Sequence, residues 1–201
     1  MRTILDRPVL LGVLGGLAWT AGLRGFMAQV AGFESNVTWS LTFGWLLVPG
    51  VVVGALLGWA EHIRRAGGRP RWRWLALAPL AYAGLLFSDP TDILGIFEDG
   101  LGAGAIAVPL IGMAGGHAIS GRGPLWARLA TGLVAVAPVP IWALTASSIG
   151  PHLALDTPRG AWVAVYHWSF LAVLYVACAI PHRPVVPAAS GADRSAAAST
   201  V

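Results

Sequence analysis

Eleven of the thirteen arginines in this 201-residue chain lie in the loops and termini on one side of six apolar segments. Arginine-rich loops resist translocation across a bilayer, so they mark the cytoplasmic side of a membrane protein. The pattern predicts an all-α, polytopic membrane protein of about six transmembrane helices, with both termini cytoplasmic. Counted by side, Arg2, Arg7, Arg64, Arg65, Arg69, Arg71, Arg73, Arg122, Arg128, Arg183 and Arg194 fall inside. Arg159 falls outside, and Arg24 lies within the membrane.

Composition excludes the soluble alternative. Residues are 56% hydrophobic and 11% charged, against about 25% charged in soluble domains. So little charge cannot cover a water-facing surface. The net charge of +4 sits on arginine in short loops. It reads as contact with anionic lipid headgroups, above all at loop 61–73, and not as a nucleic-acid face. The chain has no lysine and is rich in Ala, Gly and Arg. That bias points to a high-GC bacterium, and so to a bacterial plasma membrane. Cys178 is the single cysteine, which excludes an internal disulfide or a CxxC redox pair.

The apolar stretches run over about 9–31, 38–60, 73–89, 101–118, 125–149 and 161–180, giving a helical bundle over 1–182. The first is longer than a signal-peptide core and lacks a small-residue cleavage site, so it is expected to remain as a helix. The third is short for a span. The loop before it is basic and the loop after it acidic, which argues that it crosses. Residues 183–201 are Pro/Ala/Ser-rich without an apolar period and read as a disordered cytoplasmic tail. Pro49 should kink the second helix. Gly50, Gly54 and Gly58 follow at four-residue spacing and share one face. Gly112 and Gly116 sit in the glycine-rich fourth helix. Small residues let helix backbones approach closely, so these two faces are expected to build the centre of the bundle.

Two intramembrane polar residues stand out. Counting about 1.5 Å per residue from Val9 puts Arg24 roughly 22 Å up its helix, in the outer third. His167 lies seven positions in from the outer end of the sixth helix, at a similar depth. Ionisable groups at such depth usually face the protein interior or a wet cavity. With Glu34, Asp89 and Asp92 they suggest an outward-facing polar pocket for a ligand. The plainer reading pairs Arg24 with one of those acids, or lets it snorkel, and makes His167 a neutral core histidine. Asp89 and Asp92 around Pro90 also fit a helix N-cap and first turn.

The chain lacks HExxH, GxSxG and P-loop motifs, and its histidines lack metal-ligand spacing. No catalytic residue, metal or cofactor is implied. Gly115-Gly116-His117 with Ser120 and Arg122 resembles a fragment of the lipid-phosphatase signature. The companion Lys/Arg and Asp motifs are missing, so no family follows. The expectation is a small-molecule or ion transporter, or a binding protein, with that outward pocket. A membrane-embedded enzyme using His167 with a carboxylate, and a scaffold without chemistry, remain as alternatives. Expected partners are the bilayer, its anionic headgroups at 61–73 and, unspecified, a second copy or another membrane protein.

Overall fold

The structure, a computed structural model, describes residues 7–32, 35–84 and 101–186. Every regular element among them is helical. Four helices are long and apolar enough to cross a membrane: Pro8–Ala31, Trp39–Arg65, Leu125–Ile149 and Pro158–His182. Large apolar side chains point outward from them. Trp126, Leu133 and Leu144 are 73%, 74% and 81% exposed. A water-soluble fold buries such residues; in a bilayer they face lipid.

Helix α1 spans Pro8–Ala31, and Pro8 occupies a helix start where its missing N–H costs nothing. The second span begins as a π-helical segment, Trp39–Leu47, and continues as α2, Val48–Arg65. The Thr38 hydroxyl caps the start by accepting from Leu41 N. Val48 N donates five residues back to Phe43 O. That widening has a local cause. Pro49 brings its ring against the carbonyl four residues earlier, and a wider turn relieves the clash.

The expected helix over 73–89 is a different object. Trp72–Leu80 is a 3₁₀ helix, followed by the short helix α3, Ala81–Gly84; residues 85–100 lie outside the described set. A 3₁₀ helix rises about 2.0 Å per residue against about 1.5 Å in an α-helix, so these thirteen residues extend roughly 24 Å. Trp72 packs beside Ala60 and Ile63 at one end. The Tyr82 hydroxyl donates to Leu46 O near the other.

Helix α4 is Leu101–Ile119, with side chains described from residue 104. α5, Leu125–Val136, and α6, Pro138–Ile149, form one span broken at Pro138. α7 is Pro158–Cys178, capped by the Thr157 hydroxyl accepting from Gly160 N. The expected disorder from 183 does not begin there. Val186 N donates to Arg64 O, and Val185 packs with Ile63 and Trp72. Residues 187–201 lie outside the described set.

The glycines organise the packing, but not as one central face. Gly50, Gly54 and Gly58 of α2 meet α1. A Cβ on Gly54 would fall on Gly12 O, and one on Gly58 on Pro8 O. Reciprocally, a Cβ on Gly12 would strike Gly54 O, and one on Gly16 would strike Gly50 O. Gly112 and Gly116 of α4 meet α7 instead. A Cβ on Gly112 would lie 2.7 Å from Leu174 Cδ2, and one on Gly116 would lie 2.7 Å from the Cys178 oxygen. The two glycine faces thus serve two separate helix pairs.

These contacts also set direction. Pro8 lies beside Gly58, so α1 and α2 are antiparallel. Gly112 faces Leu174 while Gly116 faces Cys178, so α4 and α7 run parallel. Arg64 at the end of α2 bonds Pro184 O, and His117 stacks edge-on with His182 at 5.5 Å. One end of the bundle therefore gathers the termini that carry Arg7, Arg64, Arg65, Arg73, Arg122, Arg128 and Arg183. Arg24 and Arg159 sit towards the opposite end, where Arg159 donates to Gln29 O.

Gly12→Leu or Gly54→Leu should push α1 and α2 apart and cost at least the roughly 1–3 kcal/mol typical of over-packing. Thermal unfolding in detergent reads this directly. Wild-type stability in both variants would refute the backbone-to-backbone contact.

Candidate functional site

Arg24 lies at the far end of the α1 face that carries Gly12, Gly16 and Thr20 at four-residue spacing. Its guanidinium donates to Ser35 Oγ at 2.8 Å and to Asn36 O at 2.7 Å. It clips the start of the second span to α1. Glu34, Asp89 and Asp92 lie outside the described residues, as do Glu98 and Asp99.

His167 faces elsewhere. Its ring stacks on Trp142 with centroids 5.1 Å apart and planes 18° apart. Phe26 is 5.0 Å away and Phe170 5.8 Å. Phe26 and Arg24 are two residues apart on α1, so about 200° separates their faces. The two polar residues share a depth without sharing a pocket. Nδ1 of His167 and Nε1 of Trp142 are buried without a hydrogen-bond partner among the described residues. Both sit in an aromatic layer that ties α1 to α6 and α7. Trp19 Nε1 donating to Phe170 O, and the Tyr166 hydroxyl donating to Gly22 O, extend that seam.

A groove opens elsewhere, lined by neither Arg24 nor His167. It measures about 620 Å³ and runs between α1, α2, the 3₁₀ segment, α4 and α7. Leu11, Gly15, Trp19, Val53, Tyr82 and Leu174 are among its walls. Gly15 differs from its neighbours, because a Cβ there would meet nothing within 4 Å. Along α1 the groove extends from Pro8 to Trp19. Eleven residues at about 1.5 Å each give roughly 17 Å, close to half of a hydrocarbon core about 30 Å thick.

Among the described residues that line the groove, the charged ones are Glu61, Arg65 and Arg183, all at its basic end. Glu61 accepts from Arg64 Nε at 2.7 Å and from Arg65 Nε at 2.7 Å. One carboxylate shared by two guanidiniums leaves this mouth net positive, with Arg183 adding to it. The groove thus offers an apolar slot about half as long as a hydrocarbon core is thick, with cationic donors at its basic end.

The groove was not foreseen from the residues. One signal was available: Gly12 and Gly16 form the same small-x-x-x-small pattern as Gly50 and Gly54. The meeting of Arg65 with Arg183 had no local signal. Comparison with protein families, with curated proteins and with solved structures finds no match to this chain.

If Arg24 clips the second span in place, Arg24→Ala leaves Ser35 Oγ and Asn36 O without their donor. The expected loss is about 1–3 kcal/mol. A double-mutant cycle of Arg24→Ala with Ser35→Ala should show coupling of at least about 0.5 kcal/mol. Additive losses would mean that Arg24 only snorkels to the headgroups.

Proposed function

We propose that this chain is an integral membrane protein that binds an anionic amphiphile, its hydrocarbon tail in the groove and its head at Arg65 and Arg183. The observation that carries this is the apolar groove, whose length matches about one leaflet and whose charged groups, among the described residues, lie at one end. Length and charge both match a fatty-acyl chain ending in a carboxylate or phosphate, where a small polar solute would find few hydrogen-bonding groups. Binding is favoured over catalysis because Glu61 is held by two arginines, and because aromatic rings enclose His167. The six-span count, cytoplasmic termini and bacterial plasma membrane belong to the same reading. They rest on the arginine distribution and on the gathering of basic residues at one end of the bundle.

Gly15→Leu should fill the groove without clashing, whereas Gly12→Leu should disrupt the helix pair. In nanodiscs of zwitterionic lipid, dansyl-undecanoate should bind the wild type saturably, above its partition into empty discs. Gly15→Leu should weaken that binding at least about ten-fold, the equivalent of about 1.4 kcal/mol, at unchanged thermal stability. Equal binding by Gly15→Leu and the wild type would reject the groove as the site.

Orientation is tested separately. In a Cys178→Ala background, Asp156→Cys should label with an impermeant thiol reagent applied to intact cells. Arg69→Cys should label only after the membrane is opened. Labelling of both from one side would overturn the assigned topology.

A further inference from the structure

The loop after α2 forms a second cleft, of about 390 Å³, on a different face of that helix from the groove. Trp59, Ile63, Arg69, Arg71, Trp72 and Trp74 are among its walls. Gly67 and Gly68 take positive φ and turn the chain back. Gly68 N then donates to Ile63 O, which seats the returning loop against α2. Trp72 is buried against Ala60 and Ile63 and forms the floor. Trp59 and Trp74 stay 43% and 70% exposed. Indoles left uncovered at the charged end of a membrane helix suit the headgroup layer, where an amphipathic ring contacts both water and hydrocarbon.

Among the described residues these charges are unspent. Arg69 and Arg71 make no side-chain hydrogen bond or ion pair with a described residue. Glu61, the described acid at this end, is already taken by Arg64 and Arg65. Arg71 also holds its backbone at φ 61, a left-handed conformation that disfavours any side chain with a Cβ. Glycine would be the easier residue there. A strained arginine beside an exposed tryptophan is the kind of local cost that accompanies a binding role.

We propose that this cleft binds the phosphate of an anionic phospholipid. Arg69 and Arg71 supply the charge-assisted donors, and Trp59 and Trp74 flank the headgroup. Guanidinium forks match the oxygen geometry of a phosphate, and two adjacent arginines favour an anionic over a zwitterionic head. This site does not depend on the groove, which opens beside Leu57, Glu61 and Arg65 instead.

The test counts retained lipid by native mass spectrometry of the detergent-solubilised full chain, in the Gly15→Leu background so that the groove does not contribute. Dioleoyl phosphatidylglycerol should be retained at one per chain, at least ten-fold better than dioleoyl phosphatidylcholine. Arg69→Gln combined with Arg71→Gly should abolish that preference. Glycine is at ease with the backbone at position 71, so this variant keeps its fold, and its melting temperature checks that it does. Equal retention of the two lipids would overturn the proposal, as would undiminished phosphatidylglycerol binding by the double variant. Glycerol 1-phosphate binding as tightly as phosphatidylglycerol would reassign the cleft to a soluble phosphate and overturn the lipid assignment.

Discussion

The contact between the backbones of α1 and α2 determines what the other helices can do. In lipid, apolar side chains gain nothing by leaving one hydrocarbon for another, so helix pairs are held by close packing. Gly12 and Gly16 against Gly50, Gly54 and Gly58 bring the carbonyls of one helix onto the Cα atoms of the other. Thr20 continues the face. Its hydroxyl is fully buried beside Gly50 and satisfied within its own helix by Gly16 O. This rigid seam fixes the rotation of α1. Phe26 and Trp19 must then face α7, and Leu11 and Gly15 are left to line the groove.

α4 repeats the device with a different partner. Gly112 and Gly115 receive the side chains of Leu174 and Tyr175 of α7, while Gly116 meets the backbone of Cys178. The Tyr175 hydroxyl crosses to Ala135 O of α5 and stitches a third helix to the pair. Two kinds of glycine contact therefore coexist. At the α1–α2 seam backbone meets backbone at Gly12, Gly16, Gly54 and Gly58, whereas α4 receives side chains at Gly112 and Gly115 and backbone at Gly116. The groove lies between the two assemblies, and among the described residues no atom comes within 4 Å of a Cβ placed on Gly15.

Part of this was legible in the residues. The four-residue spacing of Gly50, Gly54 and Gly58 marks a close-packing face, and such a face is what α2 presents. The same spacing does not name a partner: the α2 face meets α1 and the α4 face meets α7, so the two do not form one centre. Arg24 and His167 show the limit most plainly. Position along a helix follows from counting. Azimuth relative to another helix does not follow, and about 200° separates the face of Arg24 from that of Phe26, which meets His167. The stretch from Trp72 was short as an α-helix; its 3₁₀ winding, which lengthens it, has no signature in hydropathy.

What the chain determined by itself is its class. Hydropathy and arginine placement are properties of position along the chain, and they survive any rearrangement of the helices. Tertiary structure alone decided which helix meets which, and with that the groove, its two-arginine mouth and the cleft under Trp74. The physical reason is that α1 is apolar almost all round, so hydrophobicity gives it no preferred face. Only the shape of the partner, read through a few glycines and one buried threonine, selects the rotation, and every site follows from that selection.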